Sequence, residues 1–242
     1  MSLNPLTQFV VKSIYKINFY GYDISITNSS LYMFFAVFLF WSFYRLMYKN
    51  PQMIPTRPQA FVETIYFLVL DMVESNIGKA GKKFLPLIFS IFIFILLCNI
   101  LGMLPYGFTV TSQLILTYAL AMLVFITILI YGFMKHGLKF FSLFLPKGTP
   151  VFLIPLMIII ELFSFLAKPI SLTIRLSANM IAGHILIKVI AGFIVTGLIF
   201  IKPLPIPLVV ILIGFEICVA ILQAYIFAIL SCVYLNDAVN LH

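Results

Sequence analysis

The chain has 242 residues, of which 63% are hydrophobic and 9% charged, and its mean hydropathy is +1.17. Apolar runs long enough to cross a hydrocarbon core of about 30 Å recur along its length, which excludes a soluble globular domain and points to a polytopic integral membrane protein. The formal charge of +8 would suggest nucleic acid in a soluble protein. Here the basic residues gather in short connecting segments, as expected of loops on the inner side of a membrane, and no nucleic-acid-binding motif accompanies them.

Residues 1–30 are mixed polar and aromatic and read as an ordered arm. Lys12 and Lys16 are not followed by a short apolar core with a cleavage site, so no removable signal peptide is expected. The first span is expected at 31–48, ending near Arg45, Lys49, Pro51 and Pro55. The next stretch, 56–78, carries Glu63, Asp71 and Glu74. Their spacing places the carboxylates near one face of a helix, which suits an amphipathic helix lying in the interface. A further full crossing is the alternative there.

Clear spans follow at 84–105 and 113–134, joined by the uncharged loop "YGFTVTS". The basic segments at 45–57, 79–83 and 135–147 then share the inner side, and the N-terminus lies outside. Lys12 and Lys16 run mildly against that placement. A helix over 151–199 would be on the order of 70 Å long, so it either breaks into two spans or runs steeply tilted. No basic loop interrupts it, which favours one tilted helix. The last span is expected at 208–235. The reading is an all-α polytopic membrane protein, a single integral membrane domain over 1–242. It has about five crossings and one interfacial helix, with the C-terminus inside.

The three cysteines (Cys98, Cys218, Cys232) fall in apolar segments without metal-ligand spacing, and the three histidines form no metal motif. No cofactor and no metal is expected. The chemistry concentrates instead in ionisable residues within the membrane, each a functional candidate by default. On a straight helix Glu161, Ser164, Lys168, Ser171 and Asn179 all fall within about 40° of Arg175, so one polar stripe carries a permanent cation in its middle. His184 lies about 180° from Arg175 and should face another helix. Glu216 and Gln223, about 20° apart, share a face of the last span. In an antiparallel pair Glu216 would lie level with His184 while Gln223 approaches Arg175.

Structural roles compete with functional ones. Glu161 and Lys168 could form a buried ion pair, or Lys168 could snorkel toward the inner interface. Asn99 could serve only a neighbouring backbone group. His184 alone would suit a hydrogen-bonded core. Level with a carboxylate, it suits a proton relay, because imidazole titrates near neutral pH. Arg175 has no acid close by on its own stripe, so its partner must come from another element or another protein.

At these residues the sequence resembles the a subunit of F-type ATP synthases. "AKPISLTIRLSANMIAGH" is similar to that family's signature segment, with Arg175 at its essential arginine and Asn179 at its asparagine. "ELFSFLAKP" carries the upstream acid Glu161, and "GFEICVAILQAYIFAIL" matches the last-helix motif with Glu216 and Gln223. "NILGMLP" resembles the end of the family's third helix. Some bacterial members carry an acid at the position of His184 and a histidine at that of Glu216; the exchange here resembles mitochondrial members.

The resemblance implies a proton-conducting stator subunit with two offset half-channels beside a ring of c subunits, the long helix pair at 151–199 and 208–235 facing that ring. His184, Glu216 and Asn99 would line the outer path and Glu161 the inner one. Arg175 would gate between them and Gln223 would orient its guanidinium. Implied partners are the c-subunit ring, b-type stator subunits, the rest of the F1Fo complex and the bilayer. The membrane would be the bacterial plasma or mitochondrial inner membrane. The chain shows no nucleotide-binding loop, so ATP chemistry would belong to other subunits. A stand-alone secondary transporter and a structural membrane subunit are the competing readings, although the halves show no internal repeat.

Overall fold

The computed structural model describes residues 9–16, 18–19, 22–23, 25–47, 53–104, 107–144, 151–196 and 205–240. Six α-helices dominate: α1 Asn28–Met47, α2 Arg57–Ile77, α3 Leu85–Gly102, α4 Leu114–His136, α5 Ile154–Thr196 and α6 Pro205–Val239. Four helical stretches are long and apolar enough to cross a membrane: Lys79–Gly102, Leu114–His136, Ile154–Phe193 and Pro205–Val239. A shorter apolar stretch, Asn28–Ser42, lies in α1, whose 20 residues rise about 30 Å. Large apolar side chains such as Phe34, Ile115, Phe163 and Phe215 point outward, as lipid-facing or partner-facing surfaces require.

The expected arm contains short strands: β1 Ser13–Tyr15, β2 Asn18–Phe19, β3 Tyr22–Asp23 and β4 Ile26–Thr27. β1 pairs antiparallel with β4, and β2 with β3. The strands escaped the sequence reading because two- and three-residue pairings leave too short an alternation to register. α1 starts at Asn28, three residues before the expected span. Asn28 Oδ1 accepts from the Ser29 and Lys12 backbone N–H groups at the exposed start of the helix. α2 carries Glu63, Asp71 and Glu74 and is not among the four stretches above.

α5 is one unbroken helix of 43 residues, about 65 Å long, even though Pro169 lies inside it. Proline removes the N–H that would bond the Phe165 carbonyl. The next turn is reinforced where Thr173 Oγ1 donates to the Pro169 carbonyl at 2.8 Å. The expected end at 199 lies outside the described residues. α6 extends beyond the expected 208–235 at both ends. Pro205 and Pro207 occupy its first turn, where a missing N–H costs nothing, and its C-terminal Val239 carbonyl accepts from Lys135 Nζ at 2.6 Å.

The described residues divide into two compact units. One gathers the arm, α1, α3 from Ile93, the segment up to Leu114, α5 from Leu176 and α6 up to Ala224. Its interior includes Cys98, Leu101, Phe108, Leu176, Met180 and Ala220. The other gathers α2, α3 up to Phe92, α4, α5 up to Arg175 and α6 from Tyr225. Its interior holds Phe84, Phe125, Phe140, Phe165 and Phe227. Phe84 meets Tyr131 edge-on at 4.8 Å between ring centroids, and Phe125 meets Phe165 at 4.9 Å, geometries in which ring edges and faces attract. In the same unit Phe140 lies so close to Gly132 that no Cβ fits between them.

Candidate functional site

In the first unit four polar pairs converge on α5 and α6. His184 is buried, and its Nδ1 lies 3.4 Å from Glu216 Oε1 on α6. The spacing that set His184 opposite Arg175 on the wheel thus turns it toward the neighbouring helix. Gly183 makes the approach possible: a Cβ there would stand 2.7 Å from Glu216 Oε1. Two turns further along α6, Gln223 Oε1 accepts a hydrogen bond from Asn179 Nδ2 at 3.0 Å. Asn99, fully buried on α3, donates through Nδ2 to the Ala220 carbonyl at 3.0 Å. Ser177 Oγ donates to the Ser112 carbonyl at 2.7 Å.

The same unit concentrates buried polar atoms that make no hydrogen bond among the described residues. They are Asn99 Oδ1, Thr109 Oγ1, Thr111 Oγ1, His184 Nε2 and both Glu216 oxygens. Buried polar atoms are ordinarily hydrogen-bonded to protein or ordered water. Thr109 and Thr111 were not singled out in the sequence. They lie in the uncharged loop region after α3, and hydroxyls in such a loop give no periodic signal.

In the second unit Lys168 Nζ pairs with Asp237 Oδ2 at 2.7 Å. The ammonium also sits over the rings of Tyr234 and Phe165, at 4.9 and 5.4 Å from their centroids. Lys168 therefore pairs with Asp237 rather than with Glu161. Asp237 was missed because the last span was expected to stop at 235, two residues short of it. Phe125, Phe165, Lys168, Pro169 and Tyr234 border a cavity with room for about one water. Glu161 is half-buried one helical face away from the lipid-like side chains Leu162 and Phe163.

Arg175 is exposed on α5, with the exposed Ser171 and Asn179 one turn to either side on its own face and the exposed apolar residues Ile170, Ile174 and Ala178 beside it. Among the described residues it makes no ion pair.

A family model described as ATP synthase A chain matches residues 30–236. The chain belongs to the ATP synthase A chain family. It is a proton-translocating subunit of the Fo sector of F-type ATP synthase, embedded in the membrane and serving ATP synthesis. The matched residues include Asn99, Glu161, Lys168, Arg175, Asn179, His184, Glu216 and Gln223. They stop just short of Asp237, the acid that holds Lys168 in this A chain.

Proposed function

We propose that this A chain provides two offset half-channels, with Arg175 coupling proton transfer to rotation of a c-subunit ring. The observation that carries this reading is Arg175, exposed on a helix long and apolar enough to cross a membrane and without an ion pair among the described residues. An arriving c-subunit carboxylate releases its proton when it meets the guanidinium, because an adjacent cation favours the ionised form. The anion then passes on and is reprotonated from the other path. The charge of Arg175 also repels a proton that would otherwise leak straight across, a loss of about 2.3 kcal/mol per charge per 100 mV.

His184 and Glu216, with Asn99, serve the outer path, and Glu161 serves the inner one. In chain order along α5, Arg175 stands between Glu161 and His184. The buried polar atoms around His184 and Glu216 without a hydrogen-bond partner among the described residues support a hydrated route on their side. Gln223 and Asn179, joined to each other, hold amide groups near the arginine's turn of the helix and orient the guanidinium. The side facing the ring is the exposed apolar face of α5 and α6, and b-type stator subunits hold the chain against rotation. The N-terminus lies outside and the C-terminus inside, in a bacterial plasma or mitochondrial inner membrane.

The test is Arg175→Ala in the assembled complex. Loss of ATP-driven proton pumping, with passive leak in its place, is the expected result. Normal coupled pumping by an assembled variant would sink the mechanism.

A further inference from the structure

We propose that the N-terminal arm forms the outer wall of the His184–Glu216 path, with Phe9 as the residue that positions it against the imidazole. The proposal rests on the proton-path reading above and deepens it. The Phe9 ring meets the His184 ring edge-on, with centroids 6.3 Å apart and planes inclined by 60°. Lys188, one helical turn after His184, holds its ammonium 5.9 Å from the centroid of the same Phe9 ring. The phenyl ring therefore contacts both the imidazole and the cation on the next turn.

The arm is fastened where this contact needs it. Gln113 Nε2 donates to the Phe9 carbonyl at 2.9 Å. Asn28 grips the following residues three times: its Nδ2 donates to the Val10 carbonyl, its Oδ1 accepts from the Lys12 N–H, and its N–H donates to the Lys12 carbonyl. Pairing of β1 with β4 continues the attachment at Ser13 and Thr27. A segment outside every membrane-crossing helix is thus registered against a residue inside one.

The arrangement has a chemical consequence. His184 Nδ1 faces Glu216 Oε1, which leaves His184 Nε2 and Glu216 Oε2, both without a hydrogen-bond partner among the described residues, as the atoms through which a proton can join the pair from another direction. Among the described residues, Glu216 from α6 and Lys188 from its own helix are the charged groups disposed around the imidazole. A phenyl edge neither donates nor accepts a proton. Packed against the imidazole, it closes that side of the pair with an apolar wall, and Lys188 over the same ring sets a positive charge beside it.

The experiment uses the assembled complex with Cys218→Ser, which removes the exposed native thiol; Cys98 and Cys232 are buried. Phe9→Cys is treated with a small cationic methanethiosulfonate and with a neutral one of matched size, and ATP-driven pumping is measured before and after. The cationic adduct should cut pumping about tenfold or more, and the neutral adduct clearly less, because a fixed charge beside a proton path acts electrostatically as well as sterically. A cationic adduct at Val11→Cys, on the exposed side of the arm, should leave pumping unchanged.

A thiol at position 9 that cannot be modified overturns the proposal, as does one modified without loss or with equal loss for both reagents. If Phe9→Cys prevents recovery of the complex, Phe9→Leu is measured instead, and pumping equal to the parent's across pH overturns the proposal. Glu216→Gln is measured alongside. Slowed transport there, with no effect of the adducts, refutes the arm alone; full transport in both refutes the proton-path reading as well.

Discussion

Glu216 Oε1 lies 3.4 Å from His184 Nδ1, slightly beyond a good hydrogen bond, and both of the carboxylate's oxygens are buried without a protein hydrogen-bond partner. An acid and an imidazole so placed can exchange a proton through a small movement or a single water. Neither is locked into a permanent bond that would hold the proton still. The pair sits between α5 and α6 because Gly183 leaves room for it.

Gly183→Ala should disturb the pair directly. The added Cβ would stand 2.7 Å from Glu216 Oε1, so the carboxylate must move away from His184 or the helices must part. Overpacking of this kind costs about 1–3 kcal/mol. Proton transport should fall more than assembly does, and comparing pumping per recovered complex with the yield of complex separates the two effects. Unchanged pumping would mean that the spacing of the pair is immaterial.

Glu216→Gln retains shape and removes the titrating group. Transport should slow about tenfold or more, on the scale of losing a positioned acid–base group, without uncoupling hydrolysis from pumping. The pH profile of the remaining transport should also change. A rate that matches the parent across pH would exclude Glu216 from the path.

Lys168 and Asp237 make a different prediction, because their ion pair is an anchor between α5 and the end of α6. Both side chains retain partial exposure, 18% and 29%, so breaking the pair with Asp237→Asn should cost about 1–3 kcal/mol of stability. Lys168→Met combined with Asp237→Leu should recover most of it, since neither variant then strands a charge. Thermal inactivation of the purified complex measures both. Equal losses in the single and double variants would argue against the pair as an anchor.

Asn99→Ala removes the donor to the Ala220 carbonyl, about 1 kcal/mol for one hydrogen bond. Ala220 lies one turn from Glu216 on α6, so the slot vacated by the amide should also slow transport modestly. Asn99→Asp retains the shape but replaces the amide donor with a carboxyl group. Similar pumping by Asn99→Ala and the parent would confine Asn99 to a packing role.

The sequence was informative wherever a single helix carries the signal. Apolar length defined the long helices, and the 3.6-residue period set His184 on the face of α5 away from Arg175. The same period put Glu216 and Gln223 together on α6. The continuity of α5 through Pro169 followed from the absence of a basic loop. Pairings between helices were less legible. Glu161 and Lys168 share a face of α5, yet Lys168 is taken by Asp237, whose position depends on how far α6 continues beyond the apolar run. An antiparallel pairing of the two helices brings Gln223 toward Arg175, and the structure adds its hydrogen bond to Asn179, which no single-helix pattern could show.

The sequence by itself determined a membrane protein of long helices, a cation without an acid nearby on its own face, and the family those motifs belong to. These depend on hydropathy and on the fixed angle between successive residues, both local properties of the chain. Only the tertiary structure decided that His184 meets Glu216 over Gly183, that Lys168 is anchored by Asp237, and that Phe9 from the arm reaches His184. Such contacts join residues tens to more than a hundred positions apart. Their existence depends on the close packing of whole helices, where the presence or absence of one Cβ decides which groups touch.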